Sequence, residues 1–142
     1  NMEVIPSFLI DHTNLKPGIY ISRQDKVGET EMFTTYDIRM TEPNKEPAVA
    51  PSALHTIEHL IATYLRNKEG WKDKVIYWGP MGCLTGNYLI LKGEYDPSVI
   101  RELMLEALLP ISRAKFLELH PKRVVTICFT TFLWQSGKPS VI

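Results

Sequence analysis

Leu54, Ile57, Leu60, Ile61, Tyr64 and Leu65 recur at intervals of three and four, which places them on one stripe of an α-helix. The helix is expected across the run Pro51 to Asn67, with Ser52 as its N-cap and no glycine or proline before Gly70. Elsewhere the period shortens to two. In Met32 to Met40 the residues Met32, Tyr36, Ile38 and Met40 share one face of a predicted strand, while Asp37 and Arg39 share the other. Further strands are predicted at Ile19 to Arg23, Lys74 to Trp78 and Asn87 to Lys92. Turns are expected at Lys26 to Glu29 and in the glycine-rich connection Gly79 to Gly86. Thr41 to Pro51, with three prolines, is expected to be a loop.

Asp96-Pro97 should open a second helix as N-cap and N1 proline, lined by Ile100, Leu103, Met104, Ala107, Leu108 and Ile111. Pro110 is expected to kink or break it. The apolar, β-branched run from Arg123 to Trp134 is a further predicted strand. Strands and helices mix without a regular βαβ rhythm. The expected fold is therefore α+β, a largely antiparallel sheet packed against helices, in a single domain over residues 1–142.

Composition narrows the function. With 44% hydrophobic and 23% charged residues the chain can bury a core. Lys and Arg (16) balance Asp and Glu (16), and no basic run is long enough to follow a phosphate backbone, so nucleic acid is not an expected partner. No stretch reaches the roughly 18 apolar residues of a membrane span, and the first residues lack the pattern of a signal peptide. A cytoplasmic protein is the expectation. Two cysteines, Cys83 and Cys128, are too few for a disulfide framework and are expected to be thiols, ligands or catalysts.

The candidate chemistry centres on His55-Thr56-Ile57-Glu58-His59, an H-x-x-E-H motif on the first predicted helix. Imidazoles at i and i+4 converge beside a helix in a way that suits a divalent metal, with Glu58 able to reach a metal-bound water or substrate. The same pattern also describes an amphipathic helix whose polar edge happens to hold two histidines. Cys83 lies in a loop where glycine lets the backbone approach a ligand. Alone it would read more readily as a small apolar residue at a hairpin than as a catalyst.

Ser7-Phe-Leu-Ile-Asp-His12, Tyr36-Asp-Ile-Arg39, Glu42-Pro-Asn44, His55-Thr-Ile-Glu-His-Leu60 and Gly79-Pro-Met-Gly-Cys-Leu-Thr-Gly86 occur in the order and spacing of the S-ribosylhomocysteine lyase (LuxS) family, which the chain resembles from about residue 5 to about residue 108. The resemblance implies cleavage of the thioether of S-ribosylhomocysteine to homocysteine and 4,5-dihydroxy-2,3-pentanedione, the precursor of the quorum-sensing signal autoinducer-2. It implies a metal held by His55 and His59, with Fe(2+) expected and Zn(2+) or Co(2+) as substitutes. Glu58 and Cys83 match its acid/base residues, and Ser7, His12 and Arg39 its substrate-binding positions. It further implies a homodimer with shared active sites. Such chemistry needs a Lewis acid and proton carriers, because a ribose thioether loses its thiolate only after a carbonyl has moved along the sugar.

Two stretches depart from the family. Tyr77 and Gly79 stand where an acidic residue and a serine are common in I-D-x-S-P-M-G-C. Residues from about 109 to 142 lack the C-G-x-x-x-x-H-D segment that supplies a third, cysteine ligand. Cys128 is the only candidate, and a buried strand cysteine is its other reading. One permissible coding of residues 123–131, read from its third base, spells C-G-N-Y-L-F-H-D, so a shifted reading frame and a damaged lyase are the expectation unless Cys128 compensates. Two rival readings remain: an inverzincin-type metallopeptidase, which also uses H-x-x-E-H, and an inactive remnant that keeps the fold without the metal.

Overall fold

The computed structural model describes residue 11 and residues 13–113. Ser7, His12, Cys128 and the predicted strand at 123–134 lie outside them. The elements are β1 (Gly18–Val27), β2 (Glu31–Arg39), α1 (Pro51–Asn67), β3 (Val75–Pro80), β4 (Gly86–Lys92) and α2 (Pro97–Arg113). The four strands form one antiparallel sheet in the order β1-β2-β4-β3. This is the expected α+β architecture, with the histidine motif on α1.

Paired residues in an antiparallel ladder point to the same face, so the register sorts the sheet into two sides. Ile19, Tyr36, Ile38, Trp78, Leu89 and Leu91 lie on the first side and are buried. They form one core with Leu54, Ile57, Ile61 and Leu65 of α1 and Ile100, Leu103, Met104 and Leu108 of α2. The second side carries Tyr20, Asp37, Tyr88 and Gly79 in one cross-strand row, through the pairs Tyr20 with Asp37, Asp37 with Tyr88, and Tyr88 with Gly79. Arg39 stands on the same side, opposite Gly86 and Gly18.

Several boundaries differ from expectation. β1 continues through Lys26 and Val27 because Gly28, at φ 67°, takes the left-handed conformation that lets the chain turn over 28–30. β3 extends into Gly79 and Pro80, which pair with Tyr88 and Asn87. A proline is tolerated there because β3 is an edge strand. The N-cap of α1 is Ala50, not Ser52, and no side chain caps it. The Ala50 carbonyl accepts the first helical bonds from Ala53 (2.9 Å) and Leu54 (3.0 Å), with Pro51 in the position that needs no N–H.

In α2, Asp96 does cap: its Oδ1 accepts from Ser98 N (2.9 Å) and Oγ (2.6 Å), and these bonds lower its carboxyl pKa. The helix runs through Pro110 to Arg113 rather than breaking. An interior proline costs about 3 kcal/mol, less than the burial of Ile100, Leu103, Met104 and Leu108 contributes at about 1.5–3 kcal/mol per side chain. Among the described residues no helix is long and apolar enough to cross a membrane.

Candidate active site

The β3–β4 connection is a tight turn: Leu84 N donates to Met81 O (3.0 Å) and Met81 N to Gly86 O (2.9 Å). Leu84 adopts φ 61°, an uncommon conformation for a residue with a branched side chain. It is held there by its carbonyl, which accepts from Val49 N at 2.8 Å. That bond also ties the turn to the segment entering α1. The Thr85 carbonyl accepts from both Met40 N (2.8 Å) and Thr41 N (3.1 Å). The turn is thereby fixed against the end of β2 and the start of the histidine helix, with Cys83 exposed at its tip.

Beneath Cys83 lies a buried polar chain. Arg39 and Asp37 are each 3% exposed, which a charged pair tolerates only when its hydrogen bonds are satisfied. Arg39 Nε donates to Asp37 Oδ1 (3.1 Å) and Nη2 donates to Asp37 Oδ2, a two-point fork. Its remaining nitrogen, Nη1, donates to Thr85 Oγ1 at 2.6 Å and lies 3.6 Å from Cys83 Sγ. Thr85 Oγ1 is 3.0 Å from the same sulfur. Because that hydroxyl already accepts from Arg39, its own hydrogen is free to point at Cys83. The thiol feels opposing influences: partial burial raises its pKa, but the Thr85 hydroxyl, the Thr85 backbone N–H and the Arg39 charge outweigh it and leave the pKa lowered. Cys83 is thus an accessible thiol whose ionisation its surroundings favour.

Gly86 makes this possible. A Cβ there would sit 2.3 Å from the Ile38 carbonyl oxygen and 3.0 Å from Arg39 Cα, so only glycine lets β4 approach β2 where Arg39 turns toward Thr85.

On α1, His55 and His59 stack edge to face with ring centroids 4.5 Å apart, both exposed. Glu58 Oε2 lies 3.9 Å from His55 Nδ1, too long for a hydrogen bond, and its side chain is 36% exposed. One helical face therefore presents two imidazoles and a carboxylate to solvent. Donor type and spacing fit a divalent ion. Among the described residues, however, no group of three His, Cys, Asp or Glu side chains converges as a metal cage, so two histidines are the donors described.

The structure brings Arg39 and Cys83 together and places Glu58 with the histidine pair. Arg39 is buried and its fork is closed, because Asp37 occupies Nε and Nη2. Thr85 lies within the motif Gly79 to Gly86, but the sequence assigns it no role of its own. Its position two residues after the cysteine in a tight turn was the available signal, but a threonine there says nothing of Arg39, which is 46 residues away in sequence.

The family model for S-ribosylhomocysteinase (LuxS) matches residues 5–124. The chain belongs to the LuxS family. Among LuxS relatives, the S-ribosylhomocysteine lyase of Phocaeicola vulgatus is 64% identical over 105 residues, 74% of this chain and 65% of that protein. Those of Porphyromonas gingivalis (58%) and Clostridium beijerinckii (54%) match over the same shares. The chain thus spans slightly less than two thirds of the length of these relatives, and the LuxS match ends before Cys128.

Proposed function

We propose that the chain is a metal-dependent S-ribosylhomocysteine lyase, converting S-ribosylhomocysteine to homocysteine and 4,5-dihydroxy-2,3-pentanedione by aldose–ketose isomerisation and β-elimination. The observation that carries this is the exposed Cys83 thiol held by Thr85 and Arg39, on a turn tied to the entry of the helix bearing His55, Glu58 and His59. Family membership supports the substrate.

In this reading His55 and His59 hold Fe(2+), or Zn(2+) or Co(2+) in its place, with Cys128 as third ligand. When bound, the metal supplies Lewis acidity that polarises a sugar carbonyl. Cys83, as thiolate, takes a proton from a sugar carbon beside that carbonyl, and the Thr85 hydroxyl with Arg39 stabilises the charge it carries before doing so. Glu58 moves the second proton between sugar oxygen and carbon positions. Loss of a proton next to the carbonyl expels the homocysteine sulfur from the neighbouring carbon, breaking the C–S bond, and the departing thiolate is protonated. Ser7, His12 and Arg39 line the substrate site, Arg39 at its Nη1 edge because its other nitrogens are held by Asp37. The enzyme is proposed to act in the cytoplasm as a homodimer with shared active sites.

A second reading is favoured by one observation: the described residues supply only the histidine pair as metal donors. If residues 123–131 are a shifted frame, the chain is a metal-poor remnant of the lyase, since two imidazoles and water bind such ions more weakly than a site completed by thiolate. The metallopeptidase reading has no observation in its favour, because it leaves the Cys83 relay without a role.

Homocysteine release from S-ribosylhomocysteine, measured with metal per chain, tests both. The lyase should release homocysteine, lose this with Cys83→Ala, and lose its metal with His55→Ala/His59→Ala. Stoichiometric metal without release overturns the lyase reading. Sub-stoichiometric metal that Cys128→Ser leaves unchanged, together with a gene whose independent isolates differ in frame, establishes the remnant.

A further inference from the structure

Tyr77 and Gly79 lie on the same side of β3, since they pair with Ile90 and Tyr88, two residues apart on β4. A Cβ on Gly79 would fall 2.1 Å from Tyr77 Oη and 2.5 Å from its Cζ. The Tyr77 ring therefore lies along the strand with its phenol in the space where a side chain on residue 79 would be. Glycine at 79 is what admits it. Gly79 is buried by this cover, yet Tyr77 itself stays 46% exposed, so the phenol is seated on the sheet and open to solvent.

That position matters because of what shares it. Gly79 pairs with Tyr88 and Tyr88 with Asp37, which puts the Tyr77 phenol on the same sheet side as the Asp37–Arg39 pair that reaches Cys83. The strand carrying it runs through Pro80 directly into the turn that holds Cys83. Tyr88, the cross-strand partner of Gly79, lies within electrostatic range of Asp37, Arg39 and Cys83; burial, Asp37 and Cys83 raise its pKa against the opposing arginine.

We propose that Tyr77 is a specificity-determining residue, its phenol seated over Gly79 beside the Cys83 turn, where it donates a hydrogen bond to an oxygen of the bound substrate, a polyhydroxylated thioether amino acid. This rests on the lyase reading above.

The test measures how much S-ribosylhomocysteine half-protects Cys83 of the full chain from iodoacetamide, followed by peptide mapping so that Cys128 does not intrude. Tyr77→Phe keeps the ring over Gly79 and removes only the hydroxyl. It should raise the half-protecting concentration about threefold to tenfold, as expected for one neutral hydrogen bond, without changing the alkylation rate in the absence of substrate or the unfolding midpoint. Gly79→Ala should fold, because only an exposed side chain must move, and should weaken protection similarly by displacing the phenol. The double variant should be no weaker than the weaker single one. Protection of the wild type with an unchanged value in Tyr77→Phe overturns the role of Tyr77 alone. An absence of protection in the wild type at millimolar substrate overturns the lyase reading and this inference with it. Effects of the two substitutions that multiply would also overturn it, since the glycine would then act by another route.

Discussion

Replacing Thr85 with valine removes the one hydroxyl that joins Arg39 to Cys83 while keeping a branched side chain in a site that is 5% exposed. Hydrogen bonds to charged groups contribute about 1.5–3 kcal/mol, and the exposure of Cys83 argues for the lower end. At about 1.4 kcal/mol per pKa unit, the thiol pKa should rise by about one unit. Below both midpoints the thiolate fraction then falls about tenfold. A more basic thiolate is more nucleophilic, with a Brønsted coefficient of about 0.4–0.5, which recovers about threefold. The net expectation is a rate roughly threefold lower. The assay is the pH dependence of exchange between folded protein and an aromatic disulfide, with the product mapped to Cys83. Wild type should show a midpoint below the ordinary thiol range, Thr85→Ser the same midpoint, and Thr85→Val one about a unit higher. A lowered pKa in the folded state stabilises the fold above the unfolded thiol value, and that stabilisation is lost as pH falls through the folded value. The stability gap between wild type and Thr85→Val should therefore widen at alkaline pH, over a constant cost of about 1–3 kcal/mol for the Arg39 Nη1 left without its acceptor. An unchanged midpoint in a folded Thr85→Val chain would refute the relay.

Gly86→Ala should destabilise the fold by about 3 kcal/mol in urea unfolding, because the added carbon meets backbone atoms of Ile38 and Arg39 that cannot swing aside; a loss under about 1 kcal/mol would mean that the strands separate easily there. Tyr36→Phe should cost about 2–3 kcal/mol, since the buried Tyr36 hydroxyl donates to Tyr95 O and accepts from Tyr95 N, each at 2.7 Å; an unshifted unfolding midpoint would show that water replaces both bonds. Glu58→Gln should keep its metal by elemental analysis and lose homocysteine release, because the amide preserves shape without basicity; retained release removes Glu58 from the proton transfers.

What the sequence determined alone is the part of the molecule governed by short-range periodicity. The stripe from Leu54 to Leu65 required a helix, and with it the adjacency of His55 and His59, because i and i+4 are neighbours in any α-helix. Alternation in Met32 to Met40 likewise required Asp37 and Arg39 on one side of a strand. Boundaries escaped where local signals competed: Ser52 looked like a cap, but Pro51 moved the cap to Ala50. The interior proline of α2 was outweighed by packing that lies outside its own segment. The tertiary structure alone decided that the polar side of β2 is buried, that Arg39 turns its fork inward to Asp37, and that Thr85 bridges it to Cys83. These facts follow from strand register, which sets Gly86 against Arg39 and Gly79 beside Tyr88. Register is fixed by pairing between strands dozens of residues apart, and no periodicity within a single segment encodes it.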